Sequence, residues 1–181
     1  MKNCRLCDLW ESRTHVLKGE GDPRARIMLI AQAPGEVEDR ENRMFVGPSG
    51  KVLDMILREA GISRGKIYMT NLLKCMLPKN RRPKLWEIEA CSVYLKQEIE
   101  RVRPSVIAPL GYYPTKYMFE AYGPGRFTRE EYPQKLGILV LARDFFLFPI
   151  THPTTLIHHE EFLPRAVENF KRLKILAEKR M

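Results

Sequence analysis

The chain has 181 residues, 44% of them hydrophobic and 29% charged, enough to bury a core without disulfide staples. No apolar run approaches the roughly 18 residues that span a bilayer, so the expectation is one soluble domain over residues 1–181, monomeric and with no membrane role. Lysine and arginine number 31 against 22 acids, a net charge of +9, which favours a polyanionic partner such as nucleic acid, although a plain solvated basic surface fits as well.

In chain order the first feature is a C-x-x-C pair, Cys4 and Cys7, followed in mid-chain by Cys75 and Cys91. Four thiolates complete a tetrahedral metal site or hold a [4Fe-4S] cube. The N-terminus shows no apolar segment behind a basic one, hence no secretory signal, and the chain is expected to be cytoplasmic, where structural disulfides are rare. Fifteen residues separate Cys75 from Cys91, wider than a zinc-ribbon knuckle. That spacing tilts the reading towards a cluster and leaves zinc open.

Residues 25–33, ARIMLIAQA, read as a buried parallel strand that stops at Pro34–Gly35. Val52, Leu53, Ile56 and Leu57 repeat at helical spacing within 50–60, and Gly61 supplies a stop. A second strand is predicted over 67–73, followed by a loop with Pro78 and Pro83. Within 84–102, Ile88, Cys91, Leu95, Ile99 and Val102 mark one helix face. Pro104 ends that helix and 105–111 is a third strand. A short helix over 114–122, a hairpin or small excursion over 126–143, a fourth core strand at 145–150 and a helix over 163–178 complete the pattern. Strands alternating with helices imply a three-layer α/β/α sandwich around a four-stranded parallel sheet.

Ligands in such sheets bind beyond the carboxyl ends of the strands. Three segments fall there: the loop after the first strand, Asn71 at the close of the second, and THPTTLIHH after the fourth. In the first loop, Gln32 precedes a Pro-Gly turn, and such a turn is more often only a turn. Phe45 sits in a charged stretch, where an aromatic either folds into the core or offers a stacking face; core packing is the simpler alternative. Asn71 carries donors and an acceptor suited to a base edge, or caps a strand end. His152, in a loop fixed by proline between Thr151 and Pro153, can donate to a developing anion, although a lone histidine is more often structural. Leu156 and Ile157, followed by His158 and His159, suit a wedge with phosphate contacts, or packing against the last helix.

Taken together, the C-x-x-C start, the A-P-G-x-x-E-D segment with F-V-G following, the T-N-x-x-K-C segment, the C-x15-C spacing, the P-L-G strand end and the late H-P motif resemble the family four uracil-DNA glycosylases. The resemblance covers nearly the whole chain. It implies a [4Fe-4S] cluster on Cys4, Cys7, Cys75 and Cys91, without a redox step. It also implies a substrate pocket of Gln32, Ala33, Glu38, Phe45, Asn71 and His152, with Gln32, Asn71 and His152 in the catalytic roles. Phe45 would stack on uracil, Asn71 would read its polar edge, His152 would stabilise the departing anion at O2, and Glu38 would lie near C5. Leu156, His158 and His159 would meet DNA, with Leu156 the wedge.

The implied activity is monofunctional uracil release from DNA, opening base excision repair, with replication or repair proteins as further partners. The chain departs from the family pattern in three places. Ala31 and Gln32 replace a glycine and a glutamate, Ala33 stands where other superfamily members place a catalytic aspartate, and His158 replaces a common arginine. A slower enzyme is expected, and a non-catalytic lesion-binding relative is the alternative. A zinc-stapled nucleotide-binding protein is the more distant one.

Overall fold

The structure, a computed structural model, describes residues 1–179. Its sheet contains β1 (Glu20–Gly21), β2 (Ile27–Ala31), β3 (Tyr68–Asn71), β4 (Val106–Pro109), β5 (Val140–Leu141) and β6 (Phe146–Leu147), in the order β1-β3-β2-β4-β6-β5. The four inner strands are parallel, with Leu29 opposite Met69 and Ala108 in the central register. These are the four strands the apolar runs predict. Two-residue antiparallel strands, β1 on β3 and β5 on β6, extend the sheet to six. They are too short to carry a periodic signal, and the hairpin considered for 126–143 is found instead between β5, at the end of that stretch, and the core strand β6.

Alternation along β2 divides the core. Ile27, Leu29 and Ala31 face α2 (Pro48–Glu59) and α7 (Leu163–Glu178), where Leu53, Ile56, Leu57, Phe170 and Leu173 meet them. Met28 and Ile30 face α3 (Leu85–Val102) and α4 (Tyr112–Tyr122), against Ile88, Leu95, Ile99, Met118 and Phe119. Burial on both faces is why these strands read as continuous apolar runs. Helix α2 starts with Pro48 at its first turn and ends before Gly61, whose φ of 66° is left-handed. Helix α3 stops at Arg103, also left-handed, just before Pro104. No helix among the described residues is long and apolar enough to cross a membrane.

Two segments expected as loops are short helices. α1 (Glu36–Glu41) follows the Pro34–Gly35 turn with Glu36, Glu38 and Asp39 in its first turn, where carboxylates complement the helix dipole. α6 (Pro153–His158) begins with Pro153 at the first helical position, where proline costs no hydrogen bond. A third, α5 (Tyr132–Lys135), lies within the 126–143 excursion. The N-terminal segment is fastened to α1 by Asp39, whose buried carboxylate accepts from the backbone N–H groups of Thr14 and His15 at 2.8 and 3.1 Å.

Candidate active site

A cavity of about 900 Å³ opens at the carboxyl ends of the inner strands, and Gln32, Ala33, Glu38, Phe45, Asn71, His152 and His158 all line it. Seven of the residues singled out from sequence therefore share one space.

The loop between β2 and α2 is closed upon itself. Glu38 is buried, and its Oε1 accepts the N–H of Gly47 at 2.7 Å. A Cβ at Gly35 would stand 2.6 Å from that carboxylate, so glycine is what lets the turn approach it. Phe45 holds a φ of 51°, a conformation that costs a bulky residue of order 1–3 kcal/mol and persists only under outside constraint. The constraint comes from Arg64. Its guanidinium donates to the carbonyl oxygens of Phe45 at 3.2 Å and Met44 at 2.5 Å while pairing with Asp54 at 2.6 Å. Gly50, in the first turn of α2, packs so tightly that a Cβ there would sit 2.0 Å from the Phe45 oxygen. Phe45 is 5% exposed, so it is buried and lines the cavity at once.

Asn71 closes β3 and is 2% exposed; its Nδ2 donates to the thioether of Met44 at 3.3 Å. Its carbonyl accepts from the ammonium of Lys74 at 2.8 Å, and that ammonium also donates to Thr70 Oγ1 and Glu98 Oε2, each at 2.6 Å. Glu98 in turn accepts from Gly19 N–H at 2.9 Å. Lys74 is 1% exposed, and burial lowers its pKa while the facing carboxylate opposes that shift. This buried pair, with every charge hydrogen-bonded, stands behind the strand end that presents Asn71.

His152 caps α6. Its Nδ1 accepts the N–H of Thr154 at 3.1 Å, so the neutral ring carries its proton on Nε2. Desolvation lowers its pKa from 6.5 to about 4. A neutral imidazole with a fixed tautomer is a donor at Nε2 across the physiological range. Its ring lies 6.5 Å from that of Phe45, tilted by 32°. The turn from β4 into α4 packs beside it: a Cβ at Gly111, where φ is 89°, would come within 3.4 Å of His152 Cβ.

The segment after His152 corrects the expectation for Leu156. It is 4% exposed and belongs to the core with α2 and α7, because residues 153 and 156 share the inner face of the helix. Its neighbour Ile157, 38% exposed, lines the cavity instead. His158 and His159 are exposed, and His159 Nδ1 lies 3.2 Å from Glu161.

None of the four cysteines is in a disulfide. Cys75 and Cys91 are buried in one apolar cluster against which Cys7 packs. Arg13 draws the N-terminal arm to them, donating to Cys4 O at 2.8 Å and to Cys75 Sγ at 3.3 Å, and the Lys74 N–H points at Cys91 Sγ at 3.3 Å. Burial raises the pKa of Cys7 and Cys75 and pushes Cys91 up to about 12. Among the described residues no three cysteine, histidine or carboxylate side chains yet stand in ligating array. The donor set nonetheless fits a soft metal or cluster: four sulfurs, a nearly dry corner and N–H groups aimed at two of them.

Arg64 and Glu98 shape the site and escaped the sequence reading, as did the buried role of Lys74, there only a letter of the T-N-x-x-K-C segment. Glu98 did leave a trace, an acid seven residues after Cys91 on the apolar face of α3. A cluster of Tyr112, Tyr113 and Tyr132 that lines the same cavity escaped it too.

A family model described as the uracil DNA glycosylase superfamily matches residues 18–173, so the chain and its fold belong to that class. The chain is 37% identical over 177 residues to the type-4 uracil-DNA glycosylase of Sulfurisphaera tokodaii, covering 97% of this chain and 80% of that protein. It is 31% identical over 179 residues to the type-4 uracil-DNA glycosylase of Archaeoglobus fulgidus, covering 98% and 90%. A shorter match, 43% over 111 residues and 61% of this chain, joins it to the type-4 enzyme of Thermotoga maritima. The chain belongs to the type-4 uracil-DNA glycosylase family.

Proposed function

We propose that the protein is a monofunctional uracil-DNA glycosylase, a hydrolase that breaks the N-glycosidic bond of deoxyuridine in DNA, frees uracil and leaves an abasic site with the strand intact. The observation that carries this reading is the single cavity shared by Phe45, Asn71 and His152. A uridine inside a duplex is out of reach, so it is extruded at a cost of a few kcal/mol. Phe45 returns part of that by stacking, worth roughly 1–3 kcal/mol per base. Asn71 accepts from uracil N3–H at Oδ1 and donates to O4 from Nδ2; cytosine offers the opposite polarity and leaves a buried group unpaired. Glu38 bounds the pocket near C5 and keeps out thymine's methyl group.

As the glycosidic bond lengthens, charge grows on uracil O2 and on the sugar. His152 donates its Nε2 proton in a hydrogen bond to O2, and donors of this kind are typically worth about 2.7–4 kcal/mol. Being neutral and held by Thr154, it serves without first losing a proton. Gln32 orients water but cannot act as a base, and Ala33 offers nothing in its place, so water attack on the sugar cation is the least assisted step. Ile157, His158 and His159 face the strand, with Ile157 as the apolar element that enters the gap.

Cys4, Cys7, Cys75 and Cys91 hold a [4Fe-4S] cluster in this reading. When bound, it supplies a structural tie between the N-terminal arm, the loop after β3 and α3, without redox chemistry. The thiol chemistry also suits a reducing, cytoplasmic setting for one DNA-repair domain. Purified protein should be brown and absorb near 400 nm; colourless protein carrying zinc would reject the cluster.

Uracil release from an oligonucleotide with one deoxyuridine, measured beside His152→Ala and Gln32→Glu, tests the activity. Wild-type protein that binds this DNA but frees no uracil would support the second reading, a lesion-binding member, for which Gln32 is the motivating residue.

A further inference from the structure

The cavity is larger than one base requires. A single pyrimidine ring fills a small part of about 900 Å³, a volume in the range that encloses a whole drug-sized molecule. The surplus lies towards α4 and the 126–137 excursion, where Tyr112, Tyr113, Arg129 and Tyr132 line the wall. This wall is aromatic and ordered. The Tyr112 ring meets Tyr113 edge-on at 5.2 Å and Tyr132 edge-on at 5.9 Å, and it leans on Phe127 at 6.4 Å. The exposed Arg129 guanidinium lies over Tyr112 at 4.8 Å. All three tyrosines remain half-buried, with surface left for a ligand. Burial pushes the Tyr132 phenol up to about 12, so that ring stays neutral.

We propose that Tyr112, Tyr113, Tyr132 and Arg129 form a second base subsite, which takes an unpaired nucleobase next to the extruded uridine in the same strand. The inference rests on the uracil-pocket reading and deepens it. Continuity with that pocket is close, because Gly111 packs against His152 and Tyr112 and Tyr113 follow it directly. Stacking rather than charge carries the contact: Glu130 and Glu131 nearly offset Arg126, Arg129 and Lys135 in the same segment. Aromatic faces and a guanidinium plane accept any base, so the subsite is indifferent to sequence. It does demand that the neighbour be unstacked, which single-stranded DNA supplies at lower cost than a duplex.

The test uses short single-stranded oligonucleotides with one deoxyuridine, either with ordinary flanking bases or with abasic spacers on both sides. For the wild-type holoenzyme, spacers should raise KM by roughly 5- to 100-fold, the range expected for losing one stacked base. Tyr113→Ala should show the same rise on the intact oligonucleotide and converge with wild type on the spacer substrate, whereas Tyr113→Phe should restore the wild-type pattern. If spacers leave the wild-type KM unchanged, or if Tyr113→Ala loses equally on both substrates, the subsite does not exist. His152→Ala, run alongside, separates the two readings. It must lose kcat on both substrates; full activity in that variant would remove the pocket reading and the subsite with it.

Discussion

The two walls of the cavity are built on different principles. The wall contributed by the first loop and β3 is buried and tied by hydrogen bonds: Glu38 to Gly47, Arg64 to the Phe45 and Met44 carbonyls, Lys74 to Asn71. The wall contributed by α4 and the 126–137 excursion is half-exposed and held by ring contacts. Discriminating one base from another demands polar atoms fixed within tenths of an ångström, because a misplaced donor loses its partner. Holding whichever base comes next demands only a flat polarisable surface. The rigid wall therefore suits specificity, and the looser one suits grip.

The largest effect should come from breaking the support behind the rigid wall. Lys74→Met leaves Glu98 buried without a counter-charge, and breaking a buried pair typically costs about 3–5 kcal/mol. A fall in melting temperature, with recovery in Lys74→Met combined with Glu98→Leu, checks this.

His152→Ala comes next, with kcat for uracil release falling on the order of 10²–10³-fold. The depressed pKa of His152 adds two pH expectations. Its donor form persists from neutral pH down to about 4, so kcat should not titrate with this ring between pH 8 and 5. Folding is linked in the opposite direction from a salt-bridged histidine. The unfolded ring binds its proton near 6.5 and the folded one only near 4, so stability from this group is full above 6.5 and lost as pH falls from 6.5 to 4. Denaturant midpoints for wild type and His152→Ala should converge across that window.

Asn71→Asp should lower kcat/KM for uracil by roughly 1–3 kcal/mol, the cost of an unpaired buried partner, and narrow the margin over cytosine. Unchanged uracil release would take Asn71 out of the recognition surface. A control outside both walls sets the floor: Arg40→Ala breaks only an exposed pair with Glu41 and should change stability by less than about 1 kcal/mol.

Much of this architecture was legible in the sequence where physics writes it locally. β2, β3 and β4 are short apolar runs closed by proline, glycine or asparagine, and their burial on both faces makes them conspicuous. Helix α3 was legible from Ile88, Cys91, Leu95, Ile99 and Val102 on one face. Convergence of Gln32, Asn71 and His152 followed from the rule that such sheets bind at their carboxyl ends. Short elements were not legible. α1 and α6 have six residues each, too few for a period, although Pro153 was a usable start signal. Reading 152–159 as loop placed Leu156 outside; one helical turn puts it inside and turns Ile157 outward. Contacts between residues far apart in sequence left no local mark: nothing around Arg64 announces that it will restrain Phe45.

The thioether of Met44 has one more consequence. A sulfur atom is a feeble acceptor, so the Asn71 amide is paired with an inferior companion. Under the proposed function, swapping that companion for a carbonyl oxygen of the incoming base would give up little and gain a full-strength contact. Had a carboxylate occupied the same spot, the amide would have been satisfied beforehand and the exchange nearly idle.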